Sequence, residues 1–292
     1  MSRLRLYLDM VRYGNVHNED FAREHWAFFR ELLERLRLQH VAVAGLRALD
    51  VGCGKSFWLS LLLQGRGALV TGVDTEVVLP GLGVGKYLGL ARSNGLERAA
   101  RTLAWELLYA RPYYRALERA SGAPLPSDRV DLRNASVTEL PFADATFDLA
   151  VSHEVFEHLP DVPGALAELR RVLKPAATAC IYVHNFASLS GGHHIAWKYP
   201  DSEPSTLVPP WDHLRENRFP EIPSWVNRLR ERDYRAAFER HFEISEWLPL
   251  GREGEALLTP RLREELAEYT DDELLTKGFL VLARPRPKEG TA

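Results

Sequence analysis

The chain has 292 residues, and its 37 Lys and Arg against 40 Asp and Glu give a formal net charge of −3 at pH 7. Proteins that bind nucleic acid normally show a basic face or domain, so this balance predicts no nucleic-acid partner and favours a small molecule. Two cysteines, Cys53 and Cys180, cannot build a disulfide framework, which is typical of a reducing compartment. No stretch approaches the ~18 apolar residues of a membrane span. We therefore expect a cytoplasmic protein without a membrane span.

The N-terminal segment, residues 1–45, is predicted to be helical and to pack on the rest of the chain. After Asn18, aromatic residues and leucines recur at helical spacing while Arg and Glu fill the other positions, which indicates an amphipathic helix. An apolar strand follows at 47–51. A helix is then expected to begin at Phe57, and a second strand covers 69–74.

The stretch between the first strand and its helix, residues 49–56, reads Leu-Asp-Val-Gly-Cys-Gly-Lys-Ser, and we call it the glycine loop. Gly52 and Gly54 remove the Cβ atoms that would block a ligand, and the next helix presents free N–H groups. A phosphate-binding loop would need glycine where Leu49 stands, and a dinucleotide fingerprint would need glycine where Phe57 stands. The loop therefore predicts a nucleotide-like ligand of another kind.

Two acids accompany the glycine loop. Asp50 lies inside the first strand, directly before the Gly-x-Gly turn, and suits a ligand with an ammonium group in place of a pyrophosphate. Asp74 ends the second strand, at about the distance where nucleotide-binding folds place an acid on ribose hydroxyls. Together the two acids predict a ligand that combines an amino acid with a nucleoside.

The connection after strand two is longer than a single helix and its loops require, so helices are inserted at about 76–128. Their amphipathic spacing, strongest at 96–110 and 112–120, leaves three uses open: a lid, the surface of a homodimer, or part of an acceptor pocket. A second insertion, the Gly- and Pro-rich loop at about 186–225, follows strand five. Long ordered loops are often functional, and we assign this one to acceptor binding.

The remaining elements complete an α/β fold: a Rossmann-like, seven-stranded, mostly parallel sheet with helices on both faces. Residues 287–292 are predicted to be a disordered tail. Strands three to seven are expected at 129–133, 148–151, 177–183, 242–247 and 278–283, and the later helices at 161–173, 224–241 and 260–269.

A series of motifs between residues 139 and 176 adds a family resemblance. It contains a Leu-Pro-Phe turn, Phe-Asp-Leu at the start of strand four, the segment Glu-Val-Phe-Glu-His, and Arg-Val-Leu-Lys-Pro before strand five. With the glycine loop, these motifs cover roughly residues 46 to 184 in the right order. The chain thus resembles the class I S-adenosylmethionine (SAM)-dependent methyltransferases of the ubiquinone/menaquinone-biosynthesis type. Ser56 and Ser136 depart from the family pattern, at the third loop glycine and at the usual adenine contact.

The resemblance implies a methyltransferase domain over 46–286 with SAM as cofactor and S-adenosylhomocysteine as product. The implied contacts at the methionine end are Asp50, Gly52, Cys53 and Gly54, and those at the ribose are Asp74 and Thr75. Ser136 and Val137 would lie beside the adenine, and His153 would lie near the reactive end of the cofactor.

The expected reaction is O-methylation of a small-molecule or glycan-like acceptor in a biosynthetic pathway. A hydroxyl acceptor must lose a proton, and histidine titrates near neutrality. N-methylation, C-methylation and a SAM-binding regulator without catalysis stay open as alternatives. His158 is expected to have a structural role. The candidate bases are His153, His184, His193, His194 and His213.

A metal site is conceivable in the long loop, because imidazole and carboxylate ligands are available there from His193, His194, Asp212 and His213. Adjacent histidines on a loop form no metal motif, and a helical His-x-x-x-His spacing is absent. We therefore predict no metal.

Overall fold

The computed structural model describes residues 17–75, 85, 87–88, 91–92, 95–125, 130–219 and 225–287. Most of the predicted tail, 288–292, lies outside the described residues, as do 1–16 and most of 76–94. The chain divides into two compact units, Met1–Ala135 and Ser136–Ala292. Among the described residues, no helix has both the length and the apolar character needed to cross a membrane.

Seven strands form one sheet in the order β3-β2-β1-β4-β5-β7-β6. Pairing is parallel for β1 with β2, β2 with β3 and β4 with β5, whereas β7 runs antiparallel to both β5 and β6. This confirms the predicted Rossmann-like fold with a mostly parallel sheet. The strands are β1 Arg47–Val51, β2 Leu69–Asp74, β3 Asp131–Asn134, β4 Phe147–His153, β5 Leu173–His184, β6 Phe242–Arg252 and β7 Thr276–Pro285.

The first unit holds four helices: α1 Asn18–Leu38, α2 Trp58–Gly65, α3 Leu96–Trp105 and α4 Arg111–Ser121. Helical spacing at 96–110 and 112–120 predicted two inserted helices, and a π-helical turn, Glu106–Ala110, joins α3 to α4 without an interruption. Pro112 has no N–H to donate, so the helix passes it only with a changed hydrogen-bond pattern. Helix α4 packs on α1, where His25 Nδ1 lies 2.6 Å from the Tyr113 hydroxyl.

The second unit holds α5 Val162–Val172, α6 Glu231–His241, α7 Pro260–Glu265 and α8 Asp271–Leu275. Helix α6 begins seven residues later than predicted, where the Asp233 carboxylate accepts a hydrogen bond from the Arg230 N–H. Helix α8 was missed, although Thr270 and Glu273 form the capping box that marks a helix start in sequence.

Strand β5 begins at Leu173, four residues before the predicted Ala177. Lys174 and Pro175, expected to stop the preceding helix, therefore lie in the strand. The register with β4 is irregular between Phe147 and Leu149, and Pro175 lies opposite this irregularity. A proline is tolerated there because no regular ladder hydrogen bond is required of it.

The long loop after β5 has only short 3-10 turns, Ile195–Trp197 and Asp212–Leu214, between 185 and 219. Its first residues, 185–192, are nevertheless buried, as are two of its tryptophans. The indoles of Trp197 and Trp211 are buried, which favours an anchoring role over a wall for the acceptor. The hydrophobic cluster that buries them consists of Leu189, Trp197, Val208, Trp211, Leu258, Leu262, Leu266, Leu274 and Leu275.

Candidate active site

The glycine loop turns sharply at the end of β1. Gly52 and Gly54 have positive φ angles of 71° and 63°, which side-chain-bearing residues rarely adopt. A Cβ on Gly54 would meet no heavy atom within 4 Å, so the space above this residue is open. The loop therefore has the backbone geometry and the room that a close-lying ligand requires.

Asp50 is a buried acid at the base of this loop. Its side chain is 2% exposed and accepts a hydrogen bond of 2.6 Å from the Ser60 hydroxyl. Burial raises the pKa of Asp50 to about 7, while the hydrogen bond from Ser60 acts in the opposite direction. A ligand cation beside Asp50 would favour its ionised form, because opposite charge offsets the cost of burial.

Asp74 ends β2 and is linked to the glycine loop, since its Oδ2 accepts a 3.0 Å hydrogen bond from the Gly54 N–H. The neighbouring Thr75 carbonyl accepts a hydrogen bond from the Asn134 amide. Cys53 is buried against Gly72, and a Cβ added to Gly72 would lie only 3.0 Å from the Cys53 sulfur. Burial raises the pKa of the Cys53 thiol, so Cys53 is no nucleophile.

The inserted helix α4 contacts the glycine loop directly. The Tyr114 hydroxyl donates a 3.2 Å hydrogen bond to the Ser56 carbonyl, and the Tyr114 ring lies 5.8 Å from that of Phe57. Phe57 itself is fully buried with a φ of 30°. The insertion thus supports the end of the loop at which α2 begins.

The two residues assigned to adenine begin the second unit. Ser136 is exposed, and its hydroxyl lies 2.8 Å from that of Thr138. Val137 is buried. An exposed hydroxyl beside a buried apolar side chain can serve a flat heterocycle, although neither observation by itself selects adenine.

Three histidine rings meet in the second unit, and we call His158, His184 and His193 the histidine cluster. The ring of His193 lies 4.8 Å from that of His184 and 4.9 Å from that of His158. Two of the five predicted bases are thus brought together. His158, which was expected to be structural, is the third member, and it lies in a 3-10 turn, Phe156–His158, rather than at the start of a helix.

The other predicted bases have different surroundings. His153 is the last residue of β4, as His184 is of β5, and its ring stacks on Tyr182 at 4.8 Å. His194 caps a 3-10 turn, where its Nδ1 accepts a hydrogen bond from the Ala196 N–H. His213 lies 2.9 Å from the Phe186 carbonyl through its Nε2, which must therefore donate.

Two glutamates lie beside the cluster, and neither is among the site residues predicted from sequence. Glu154 has a φ of 55°, and its Oε1 lies 3.9 Å from His184 Nδ1. Glu157 is 2% exposed, and neither of its carboxylate oxygens has a hydrogen-bond partner in the described part of the chain. Both belong to the Glu-Val-Phe-Glu-His segment, where two acids three residues apart and next to a histidine were the available signal.

Comparisons with known proteins identify the domain. Residues 78–181 match the family described as "Methyltransferase domain". A "Ubiquinone biosynthesis O-methyltransferase" of Hahella chejuensis is 33% identical over 169 residues, covering 54% of this chain and 56% of the relative. The chain carries a class I SAM-dependent methyltransferase domain. It spans about half the length of the curated relatives it matches.

Two further similarities accompany this methyltransferase domain. An "Uncharacterized methyltransferase C1B3.06c" of Schizosaccharomyces pombe is 35% identical over 176 residues, which cover 59% of this chain and 51% of that protein. A solved S-adenosylmethionine dependent methyltransferase from Mesorhizobium loti is 20% identical, with a TM-score of 0.49, and covers 86% of this chain and 96% of its own.

Burial keeps four histidines of the methyltransferase domain neutral at pH 7. It lowers the pKa of His153, His193 and His213 to about 4, and that of His184 well below its usual value. Neutral imidazoles can accept a proton at pH 7. The described part of the second unit thus offers several bases, of which only the histidine cluster brings three rings together.

The pKa values of the two glutamates are shifted in opposite directions. Burial raises the pKa of Glu154, but the positive charges of protonated His153 and of Lys198 outweigh burial and lower it well below its usual range. Burial and then the charge of Glu154 raise the pKa of Glu157. The nearby backbone N–H groups of Glu157 and His184 lower this pKa in part, but neither forms a hydrogen bond with a Glu157 carboxylate oxygen. One carboxylate beside the cluster is therefore stably charged, and the other lacks a partner for its charge.

Proposed function

We propose that the protein transfers the methyl group of SAM to a hydroxyl of a small-molecule or glycan-like acceptor. The observation that supports this proposal is the histidine cluster, in which the neutral imidazoles of His184 and His193 lie near the charged Glu154. A hydroxyl acceptor needs such a base, whereas an amine can arrive unprotonated. The named O-methyltransferase among the relatives has the same reaction type in its name.

The described residues of the glycine loop fit the cofactor. Asp50 would take the ammonium group of the methionine end, beside the backbone of Gly52, Cys53 and Gly54. Asp74 and Thr75 would take the ribose hydroxyls. The open space at Gly54 and the near-neutral pKa of Asp50 support this assignment. SAM, when bound, supplies a methyl group on a cationic sulfur.

The residues assigned to adenine and to the reactive end belong to the second unit. Ser136 and Val137 would lie beside adenine, and His153 near the methyl group. A catalytic domain at 46–286, which the family resemblance implies, includes all of these residues. The predicted N-terminal segment, 1–45, would precede it, and its described part contains α1, Asn18–Leu38.

The hydrogen bonds around His184 define which of its nitrogens carries the proton. The Ser190 hydroxyl lies 2.7 Å from Glu253 Oε1 and donates to it, since an ionised carboxylate only accepts. Ser190 must then accept at its oxygen, so His184 Nε2, 2.8 Å away, is the donor. The lone pair of His184 is therefore on Nδ1, the atom that faces Glu154.

In the proposed reaction a histidine of the cluster accepts the hydroxyl proton. The acceptor oxygen forms a bond to the methyl carbon as the carbon–sulfur bond breaks, which leaves S-adenosylhomocysteine as a neutral thioether. The Glu154 carboxylate stabilises the imidazolium that forms. Base catalysis of this kind typically contributes ~10²- to 10⁴-fold, and alignment of the reacting groups ~7 to 11 kcal/mol.

Binding of the cofactor is the first test. Calorimetry of SAM and S-adenosylhomocysteine on the wild type and on Asp74→Ala should show binding that weakens at least tenfold in the variant. Asp272→Ala, a change at an acid whose side chain is 89% exposed, serves as the matched control and should bind normally. Absence of binding to the wild type would remove the methyltransferase proposal.

Transfer of tritiated methyl groups to a panel of hydroxylated compounds then tests the base. His158→Asn, His184→Asn and His193→Asn should each be compared with the wild type, and at least one should lower turnover ~100-fold or more. His40→Asn, a change at an exposed histidine in the first unit, is the control. Full turnover in all three cluster variants contradicts the role of a histidine base.

A further inference from the structure

A possible ligand set lies within the histidine cluster and its neighbours. Glu157, His184 and His193 each offer one ligand atom, and these atoms all lie within 4.8 Å of one another. The three side chains come from the 3-10 turn after β4, the end of β5 and the long loop. Of the four residues considered as metal ligands in the sequence and rejected there, only His193 belongs to this set of described residues.

Glu157 gives an independent reason to expect a cation here. A buried carboxylate without a hydrogen bond is costly, and native proteins almost always provide a partner. Both oxygens of Glu157 are buried and unpartnered among the described residues. The adjacent Glu154 adds negative charge instead of relieving it. A bound cation would supply the missing partner for Glu157.

His184 is held in the form that a metal ion requires. Its Nε2–H donates to Ser190, which donates in turn to Glu253. Hydrogen bonding of the second ring nitrogen to a carboxylate or hydroxyl is typical of metal-binding histidines, because it fixes the tautomer and the ring orientation. The Nδ1 lone pair of His184 is thereby held in place for a ligand at the cluster.

We propose that Glu157, His184 and His193 bind a divalent transition-metal ion, with Zn²⁺ as the best match. Two imidazoles and one carboxylate are ligands that Zn²⁺ and its neighbours prefer, whereas Mg²⁺ and Ca²⁺ prefer oxygen ligands. Ligands at ~2.0 to 2.2 Å from the ion lie closer together than 4.8 Å, so the side chains must draw inwards on binding. Three protein ligands leave a position open for a hydroxyl oxygen of the acceptor.

The metal site is compatible with methyl transfer but does not require it. An ion would occupy His184 and His193, and His158 would then be the base of the cluster. His158 Nδ1 lies 2.8 Å from the Trp225 carbonyl and must donate to it, which leaves the lone pair on Nε2. Metal binding can therefore succeed or fail independently of the proposed function.

Metal content and affinity test the inference without any activity measurement. The full-length protein, purified without a histidine tag, should be stripped with a chelator and titrated with ZnCl₂ by calorimetry. We expect one ion per chain. Glu157→Gln and His193→Asn should lower the affinity at least 100-fold, Ser190→Ala ~10- to 100-fold through His184, and His40→Asn should not change it.

Co²⁺ provides a readout that does not depend on variants. In the wild type, Co²⁺ should give the visible absorption of a four- or five-coordinate site and should be displaced by Zn²⁺. No stoichiometric binding, an octahedral spectrum, preference for Mg²⁺, or wild-type affinity in folded Glu157→Gln would each overturn the proposal. If Glu157→Gln does not fold, Glu157→Asp, which keeps the charge, should retain the Co²⁺ spectrum in altered form.

Discussion

The glycine loop and the histidine cluster satisfy their acids differently. In the loop, Asp50 accepts a hydrogen bond from Ser60 and Asp74 accepts one from Gly54. Beside the cluster, Glu157 is equally buried but has no partner in the described part of the chain. The acids of the glycine loop thus each accept a hydrogen bond without a ligand, whereas Glu157 accepts none. This difference indicates that a positively charged group completes the second region.

The two regions also differ in what supports them. The glycine loop is a short turn between β1 and α2, so neighbouring residues in sequence define it. The cluster depends on the long loop after β5, whose position is defined by packing on α7 and α8. Changes in the core should therefore damage the cluster first.

The largest expected change in folding stability comes from a buried tryptophan of the long loop, compared with an exposed one. Trp211→Ala removes a fully buried indole from the cluster of leucines that holds the long loop, and should lower the free energy of unfolding by ~3 to 5 kcal/mol. Trp225→Ala, at a tryptophan that is 59% exposed, is the control and should change it little. Urea unfolding measures both, and equal losses would contradict the core role of the long loop.

The next largest change in folding stability is expected at Asp50, the buried acid of the glycine loop. The pKa of Asp50 is raised from 3.8 to about 7, so the folded state holds the proton more tightly than the unfolded state. This group therefore makes the folded protein less stable as pH rises from about 4 to 7. Asp50→Asn keeps an oxygen that accepts the hydrogen bond from Ser60. Because asparagine does not ionise, the variant also removes this pH-dependent loss of stability.

At about 1.4 kcal/mol per pKa unit, Asp50→Asn should stabilise the SAM-free protein by ~2 to 4 kcal/mol at pH 8. The gain should shrink towards pH 4, and urea unfolding at several pH values measures it. The same variant should bind SAM more weakly, since it cannot carry a negative charge. A gain that is constant with pH would show that Asp50 does not titrate in this range.

The smallest effect compares a glycine from each region. A Cβ on Gly191 would overlap the carbonyl oxygens of Asn185 and Phe186, so Gly191→Ala should cost ~1 to 3 kcal/mol or more. Gly54→Ala meets no atoms and should cost only the ~1 to 2 kcal/mol of its positive φ. Thermal unfolding gives the comparison, and SAM binding should nevertheless be lost in Gly54→Ala. Unchanged SAM binding in that variant would show that the open space is not used by the ligand.

Local pattern was enough for much of the fold. All seven strands were predicted within a few residues, and the buried ones, such as β1 and β5, appear as short apolar runs between turn residues. The errors fell where tertiary contacts override local signals: Pro175 lies in β5 at a register irregularity, and Pro112 lies in a continuous helix. The cytoplasmic location, the homodimer and the boundary at residue 46 stay predictions.

The sequence by itself determined the fold class and the glycine loop, since Asp50, Gly52 and Gly54 are neighbours in the chain and Asp74 ends the adjacent strand. Only the tertiary structure decided which histidines meet. His158, His184 and His193 come from three separate segments, and spacing in sequence says little about distance across such segments. Likewise, whether Glu157 has a partner depends on every residue packed around it, and no pattern in one segment can show that.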